Sequence, residues 1–306
     1  MKWVQQMRTE IIHVQDIVDE VTKLTAAEKT SVYFRGQEWF DGKEVLGLRP
    51  TIGRGKTFVG QDKEFDLAIE RSLLHRFCRY SSLELGRAPG EWEALFLARH
   101  HGLPTRLLDW TSNPLFALFS AAQSEKKCEE ISDAAVWAII KKPRSLAKDI
   151  ESEIDVLDEE RKTNIKKSDR LYYHSIREIP ISTTKKAGMQ DIEKLQKPLR
   201  LKGVRIIYPF HVTSRMFMQD SFFTIQDDPW TSLDKYNEKD SGNYLKVKDN
   251  WSFVDVKRIA KWKVPKHARC KIVKQLTRIG IDNRKVYPDF DGLAKGLWQL
   301  EVIRDL

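Results

Sequence analysis

From His100 to Pro114 the chain reads His-His-Gly-Leu-Pro-Thr-Arg-Leu-Leu-Asp-Trp-Thr-Ser-Asn-Pro, crowding imidazole, guanidinium, carboxylate, indole and hydroxyl into one stretch. Polar groups set between two core-forming runs, Glu91–Arg99 before and Leu115–Ala122 after, either satisfy buried backbone or line a site. The chemistry on offer is charge pairing by Arg106 and Asp109, proton transfer by His101 and hydrogen bonding by Thr111 and Ser112. Each has a structural alternative. His100 and His101 close a helix, where the dipole favours an imidazolium; His101, beside Gly102, is the one expected to face a pocket, as a general base or as a satisfied structural histidine. Trp110 either stacks on a flat ring or packs in the core. Arg106 and Asp109 are three apart and in a strand point to opposite faces, which weakens a pair between them. No histidine or cysteine spacing supports a metal, and none is expected.

The elements around this string are legible from periodicity. Val14–Leu24 predicts an amphipathic helix with Ile17, Val18, Val21 and Leu24 on one face. Ser31–Phe34 predicts a short strand that ends at Arg35-Gly36-Gln37, so the arginine stands at a strand end. The stretch 42–60 carries five glycines and Pro50 and reads as a loop bearing Arg49 and Arg54. Its guanidiniums are either solvated or folded over phosphates, although it matches no nucleotide-binding glycine motif. Asp62–Tyr80 predicts a long helix with Phe65, Ile69, Leu73 and Phe77 at four-residue steps and Leu74 beside them. Glu91–His101 predicts another, stopped by Gly102. Leu107 and Leu108 begin an extended segment, and Thr111, Ser112 or Asn113 caps a helix with Pro114 at its first position. Strands are expected at Ala134–Ile140, Val204–Phe210, Phe222–Ile225 and Val256–Val264, and a helix over Pro265–Ile279 capped by Gly280. Asp227–Asn250 reads as loop.

The chain of 306 residues is 41% hydrophobic and 32% charged with a net charge of +9, which predicts a globular fold with an ordinary core. No apolar run is long enough to cross a bilayer, and the first residues lack a secretory signal; no membrane association is expected. Cys78, Cys128 and Cys270 are few and widely spaced, against a disulfide framework, so a reducing cytoplasm is expected. Residues 141–202 are rich in Lys, Glu and Asp and poor in aromatics, and read as a charged, weakly helical insertion. The expected organisation is therefore an N-terminal helix (1–30) packed on a domain whose two parts, 31–140 and 203–306, flank that insertion.

These segments resemble the FRG-domain family, which takes its name from Phe-Arg-Gly, here Phe34-Arg35-Gly36. The second signature, Gly-Leu-Pro-Thr-Arg-Leu-Leu-Asp-Trp-Thr, stands at Gly102–Thr111. A third pairs Arg215 with Gln219 before Phe222-Phe223, with Ser221 in place of a usual glycine. A fourth is matched by Gly280-Ile281 and Tyr287–Gly292. The order of parts is similar to that of ADP-ribosyltransferases, and the resemblance implies an α+β fold: a mixed, mainly antiparallel sheet flanked by helices. It also implies an NAD or nucleotide site with Arg35, His101, Asp109, Thr111 and Gln219 in the reacting centre. Gln37, Arg49, Arg54, Arg106, Trp110, Ser112 and Arg215 would contact the cofactor. Gln219 stands where transferases carry a glutamate, so either another carboxylate, Asp109 or Asp220, takes over the charge or the site binds without turnover. Arg35 equally fits a structural pair with Asp109. The implied role is that of a bacterial toxin or anti-phage effector.

Two other functions remain open on the sequence. Lysines and arginines from Lys235 to Lys274, interleaved with Tyr236, Trp251 and Trp262, suit a nucleic-acid partner or merely decorate solvent faces. The insertion could instead dock a protein partner or antitoxin.

Overall fold

The computed structural model describes residues 9–28, 32–38, 47–54, 67–89, 91–124, 131–141, 204–207, 213–226, 229–241, 244–247 and 256–304. The expected insertion falls outside them, apart from Lys141. Helix α1 spans Val14–Glu28 and strand β1 Val32–Gln37; a 3-10 turn covers Thr51–Arg54. Then come α2 (Leu67–Leu85), α3 (Glu91–His100), β2 (Leu107–Thr111), α4 (Pro114–Ala122) and β3 (Ala134–Lys141). The second part holds β4 (Val204–Ile207), α5 (Ser214–Met218), β5 (Ser221–Gln226), β6 (Asn237–Ser241), β7 (Tyr244–Val247) and β8 (Val256–Val264). It closes with α6 (Lys266–Arg278), α7 (Asn283–Val286) and α8 (Phe290–Arg304).

The strands form one sheet in the order β4-β5-β2-β1-β3-β8-β7-β6. Every ladder between them is antiparallel, and the parallel pairing expected of a mixed sheet is confined to an isolated bridge, Glu10 to Lys263. The fold is α+β. The two parts of the chain interleave: β5 from the second pairs β2, and β8 pairs β3 from the first.

Period-two alternation sorts the sheet's side chains onto two faces. Phe34, Val136, Ala138 and Trp262 pack with α1, α4 and α6 on one; Leu108, Trp110, Trp137, Phe222 and Leu48 pack on the other. A third cluster joins α2 and α3 to β2 and β5 through Leu74, Phe96, Leu107 and Phe223.

Several expected features shift. Asp227–Asn250 is not all loop: β6 and β7 make a hairpin there, polar enough at the sheet edge to escape the hydrophobic pattern. Leu74 of α2 is buried with Phe77 packed beside it, as expected, whereas Ile69 is exposed and the buried face also carries Glu70; Phe65 lies outside the described residues. Gln219 is not in a strand; it caps α5, and Asp220, with φ of 43°, turns the chain into β5. Cys270 is disulfide-bonded, a bridge that sequence spacing does not reveal because spacing says nothing of proximity in the fold. No described helix is long and apolar enough to cross a membrane.

Candidate functional site

The Phe-Arg-Gly tripeptide divides its labour by alternation. Phe34 is buried against α4 and its neighbours. Gly36 follows on the same face, where an added Cβ would lie 2.0 Å from the Ala117 carbonyl oxygen and 2.7 Å from the Ala121 nitrogen. The glycine is there because the α4 backbone rests directly on the strand. Arg35 takes the other direction. Its Nη1 donates to the Asp109 carbonyl and to Asp109 Oδ2, each at 2.8 Å. Alternation along β1 and β2 would separate these two side chains. They meet because the ladder between the strands registers at Phe34 opposite Thr111 and lapses beyond it.

Asp109 is gripped from a second side by Arg99, the last arginine of α3, whose Nε donates to Oδ1 while its Nη1 donates to Thr51 Oγ1 at 2.6 Å. The 3-10 turn thereby joins the cluster. It adds Arg54, whose Nε donates to the Arg49 carbonyl at 3.1 Å. Arg35 is 9% exposed and Arg99 15%, yet the Asp109 side chain remains 37% exposed. Burial alone would push the Asp109 carboxyl up, but Arg99 and Arg35 hold it far below the usual carboxylate range. It is an anion at any physiological pH. Arg54 is pulled down to about 10, first by burial and then by repulsion from Arg35 and Arg99. The cluster is thus an accessible carboxylate inside a surplus of guanidiniums.

Beside it opens a cleft of about 1300 Å³, lined by His100, His101, Arg215, Tyr287, Asp289 and Trp298 among others. Arg215 lies over the Tyr287 ring, 4.4 Å from its centroid. His100, the less exposed of the two histidines, is held down to about 4, by burial first and then by Arg215 and His101. Asp109 pulls it weakly the other way, and Arg99, which holds Asp109, is its neighbour along α3. His101 is exposed and edge-on to His100, 4.8 Å between ring centroids.

The remaining candidates do not gather there. Arg35, Asp109, Thr111 and Gln219 are not among the cleft's lining residues. Thr111 Oγ1 donates to the Gln219 carbonyl and accepts from the Asn113 N–H at 3.1 Å. Gln219 Nε2 donates to the Val286 carbonyl at 2.7 Å, and its Oε1 accepts from Ser221 at 3.4 Å. These bonds brace α5, β2 and α7 and leave Gln219 little to offer a ligand. Arg106 is buried against Glu70, with Nε to Oε2 at 2.6 Å, and does not pair with Asp109. Trp110 is 2% exposed, with its indole N–H on Thr224; no face is left for a ligand's ring. Gln37 accepts from the Trp137 indole at 3.1 Å. Ser112 is half-buried next to the Asn113 cap. In the basic C-terminal third, Lys263 is bridged by Glu10 and Asp133 and Lys261 lies over Trp137, so these two serve the fold. Among the described residues no three His, Cys, Asp or Glu side chains gather to hold a metal ion.

Sequence reasoning missed Arg99 and Thr51. A helix-terminal arginine looks like an ordinary dipole partner; its place at the end of α3, directly before the histidine pair, was the one available signal.

Comparison with curated proteins and with solved structures found no match. The FRG domain model matches residues 30–130, the stretch holding β1, the 3-10 turn, α2, α3, β2 and α4 and therefore every member of the Asp109 cluster. Residues 30–130 of this chain are an FRG domain.

Proposed function

We propose that this FRG domain binds NAD or a closely related nucleotide and acts on it as an ADP-ribosyltransferase-like protein, in the role of a bacterial toxin or anti-phage effector. One observation carries the reading: the Asp109 carboxylate is ionised, reachable from solvent and fixed from two sides by Arg35 and Arg99. The antiparallel sheet and the arginine on its first strand agree with a transferase-like arrangement.

In that chemistry the bond between ribose C1′ and the nicotinamide nitrogen breaks. The electron pair leaves with the nitrogen, and positive charge develops on the ribose. Asp109 is the anion placed to stabilise it, in the part that Gln219 cannot play. Water or an acceptor hydroxyl then bonds C1′ and releases its proton to solvent. Arg35 and Arg99 keep the carboxylate in one orientation throughout.

The test is calorimetry with NAD, ADP-ribose and ATP, alongside an assay of nicotinamide release. Asp109→Asn should lower release by at least about 100-fold, as removal of one preorganised charge does, while nucleotide binding persists. Failure of the wild-type protein to bind any of the three at low salt would end this reading. Tight ADP-ribose binding without release would make the domain a reader instead of an enzyme.

A further inference from the structure

We infer that the cleft between α6 and α8 holds a single strand of nucleic acid, with its phosphates on the cations of α6 and its bases on the exposed rings of α8. The inference goes beyond the nucleotide reading and does not depend on it, since no member of the Asp109 cluster lines this cleft.

At about 1300 Å³ the cleft is larger than the roughly 300–1000 Å³ that one small ligand usually occupies. Its α8 wall is held in place. The helix rests on α7 at Gly292 and Gly296, where an added Cβ would lie 1.7 Å from the Tyr287 carbonyl oxygen and 2.4 Å from Arg284 Cγ. Gln299 accepts from Asn283 Nδ2 at 3.0 Å and donates to Thr277 Oγ1 of α6 at 3.2 Å. So fixed, α8 brings Phe290 and Trp298 to the cleft, 90% and 74% exposed. Rings that bury so little add almost nothing to the core, and large apolar side chains gathered at a cleft mark a binding surface. Trp262, which the sequence offers as a stacking ring, is buried instead.

The charge comes from α6, which holds Lys266, Arg269, Lys271, Lys274 and Arg278 and no aspartate or glutamate. Arg269 is spent inside the fold on the carbonyls of Glu38, Ala122, Gln123 and Ser132. Steps of three and four residues put Lys271, Lys274 and Arg278 on one stripe, and Lys274 lines the cleft. None of the three pairs with a carboxylate among the described residues. Arg215, stacked on the Tyr287 ring, adds a guanidinium to the same cleft. The acids there are engaged otherwise. Glu38 is held by Arg269 and Ser124, Asp289 accepts from the Gly292 N–H at 2.7 Å, and Asp291 sits in the first turn of α8, where the dipole favours it. Cations without an internal anion attract an external one, and exposed rings beside them attract flat faces. A single strand supplies both in every nucleotide. A duplex keeps its base faces stacked inside, and an acidic peptide supplies charge without flat faces.

The probe is a labelled single-stranded oligothymidylate of about 12 nucleotides, followed by fluorescence anisotropy with the full chain. An oligouridylate of the same length tells whether the strand is DNA or RNA. Binding should appear at low salt and fall steeply as salt rises. Trp298→Ala should weaken it at least about fivefold, the lower end for loss of one stacked base. Lys274→Gln should make the slope of log affinity against log salt shallower by about 0.7, the share of one phosphate contact on a single strand. Circular dichroism checks each variant, and if one misfolds the other decides. No binding at low salt overturns the inference, as does a folded variant that keeps the affinity and salt slope of the wild type. Displacement of the strand, charge for charge, by the annealed duplex or by polyglutamate overturns it too, and in the second case makes the cleft a surface for an acidic protein.

Discussion

At the scale of single residues, charge in this protein is governed by who shares a face with whom. Arg106 and Glu70 are both almost fully buried and meet at 2.6 Å, although the nearest acid to Arg106 along the string is Asp109. Alternation in β2 sends residues 106 and 109 apart, so the arginine finds the helix beside it and the aspartate finds Arg35 and Arg99. The first half of that outcome is readable from strand geometry; the choice of Glu70 is not, because it depends on how α2 is rotated. His100 supplies a prediction. Its imidazole ordinarily titrates at 6.5 and is held near 4 in the fold by burial, with Arg215 and His101 adding to it. The unfolded chain therefore takes up a proton at a pH where the folded one does not. Stability from this group is complete above about 6.5 and falls as the pH drops from there toward 4, since the state that binds more protons gains. In His100→Asn the part of the melting-temperature slope between those two values should disappear. An unchanged slope would show that His100 is not held neutral. Asp109 has the same sign in a lower window: burial opposes its ionisation, Arg99 and Arg35 outweigh burial, and its contribution is lost only below about pH 4.

Elements explain why the family string is composed as it is. Asn113 accepts from the N–H groups of Leu115 and Phe116 and starts α4, and Pro114 sits where its missing N–H costs nothing. The helix so started lies on β1 at Gly36. Adding a single methyl there, as in Gly36→Ala, forces strand and helix apart and should destabilise the protein by at least about 1–3 kcal/mol, the usual range for overpacking. Denaturant midpoints would measure it. The same shift moves Arg35 relative to Asp109, so nucleotide affinity should fall in parallel; a variant as stable as wild type would mean that α4 does not bear on the strand. Caps, strand limits and the glycines that end α3 and α6, Gly102 with φ of 83° and Gly280 with φ of 85°, were legible because each is local. The hairpin β6–β7 and the lapse in the β1–β2 ladder were not. Both depend on pairing with distant segments, and polar edge strands leave no hydrophobic signature.

For the molecule as a whole, the open question is whether the charged stretch between the two parts of the sheet takes part in the site. The sheet order offers a way to decide. β3 ends at Lys141 and β4 begins at Val204, four strands away across β1, β2 and β5. The antiparallel ladders place those two ends at opposite edges of the sheet: Ala138 is level with Phe34, Phe34 with Thr111, Thr111 with Ser221, and Val204 with Gln226. Four strand spacings and the offset along the strands separate them by roughly 30 Å, which about ten extended residues would just span. A flexible Gly/Ser linker of about 20 residues therefore suffices to join them. Replacing residues 144–202 with such a linker should leave the Asp109 cluster assembled, because its arginines come from β1, the 3-10 turn and α3. ADP-ribose affinity and the melting temperature should stay close to those of the intact chain. If the replaced chain folds but no longer binds, the charged stretch supplies part of the site. If it binds but loses a cellular effect, that stretch is where a protein partner docks.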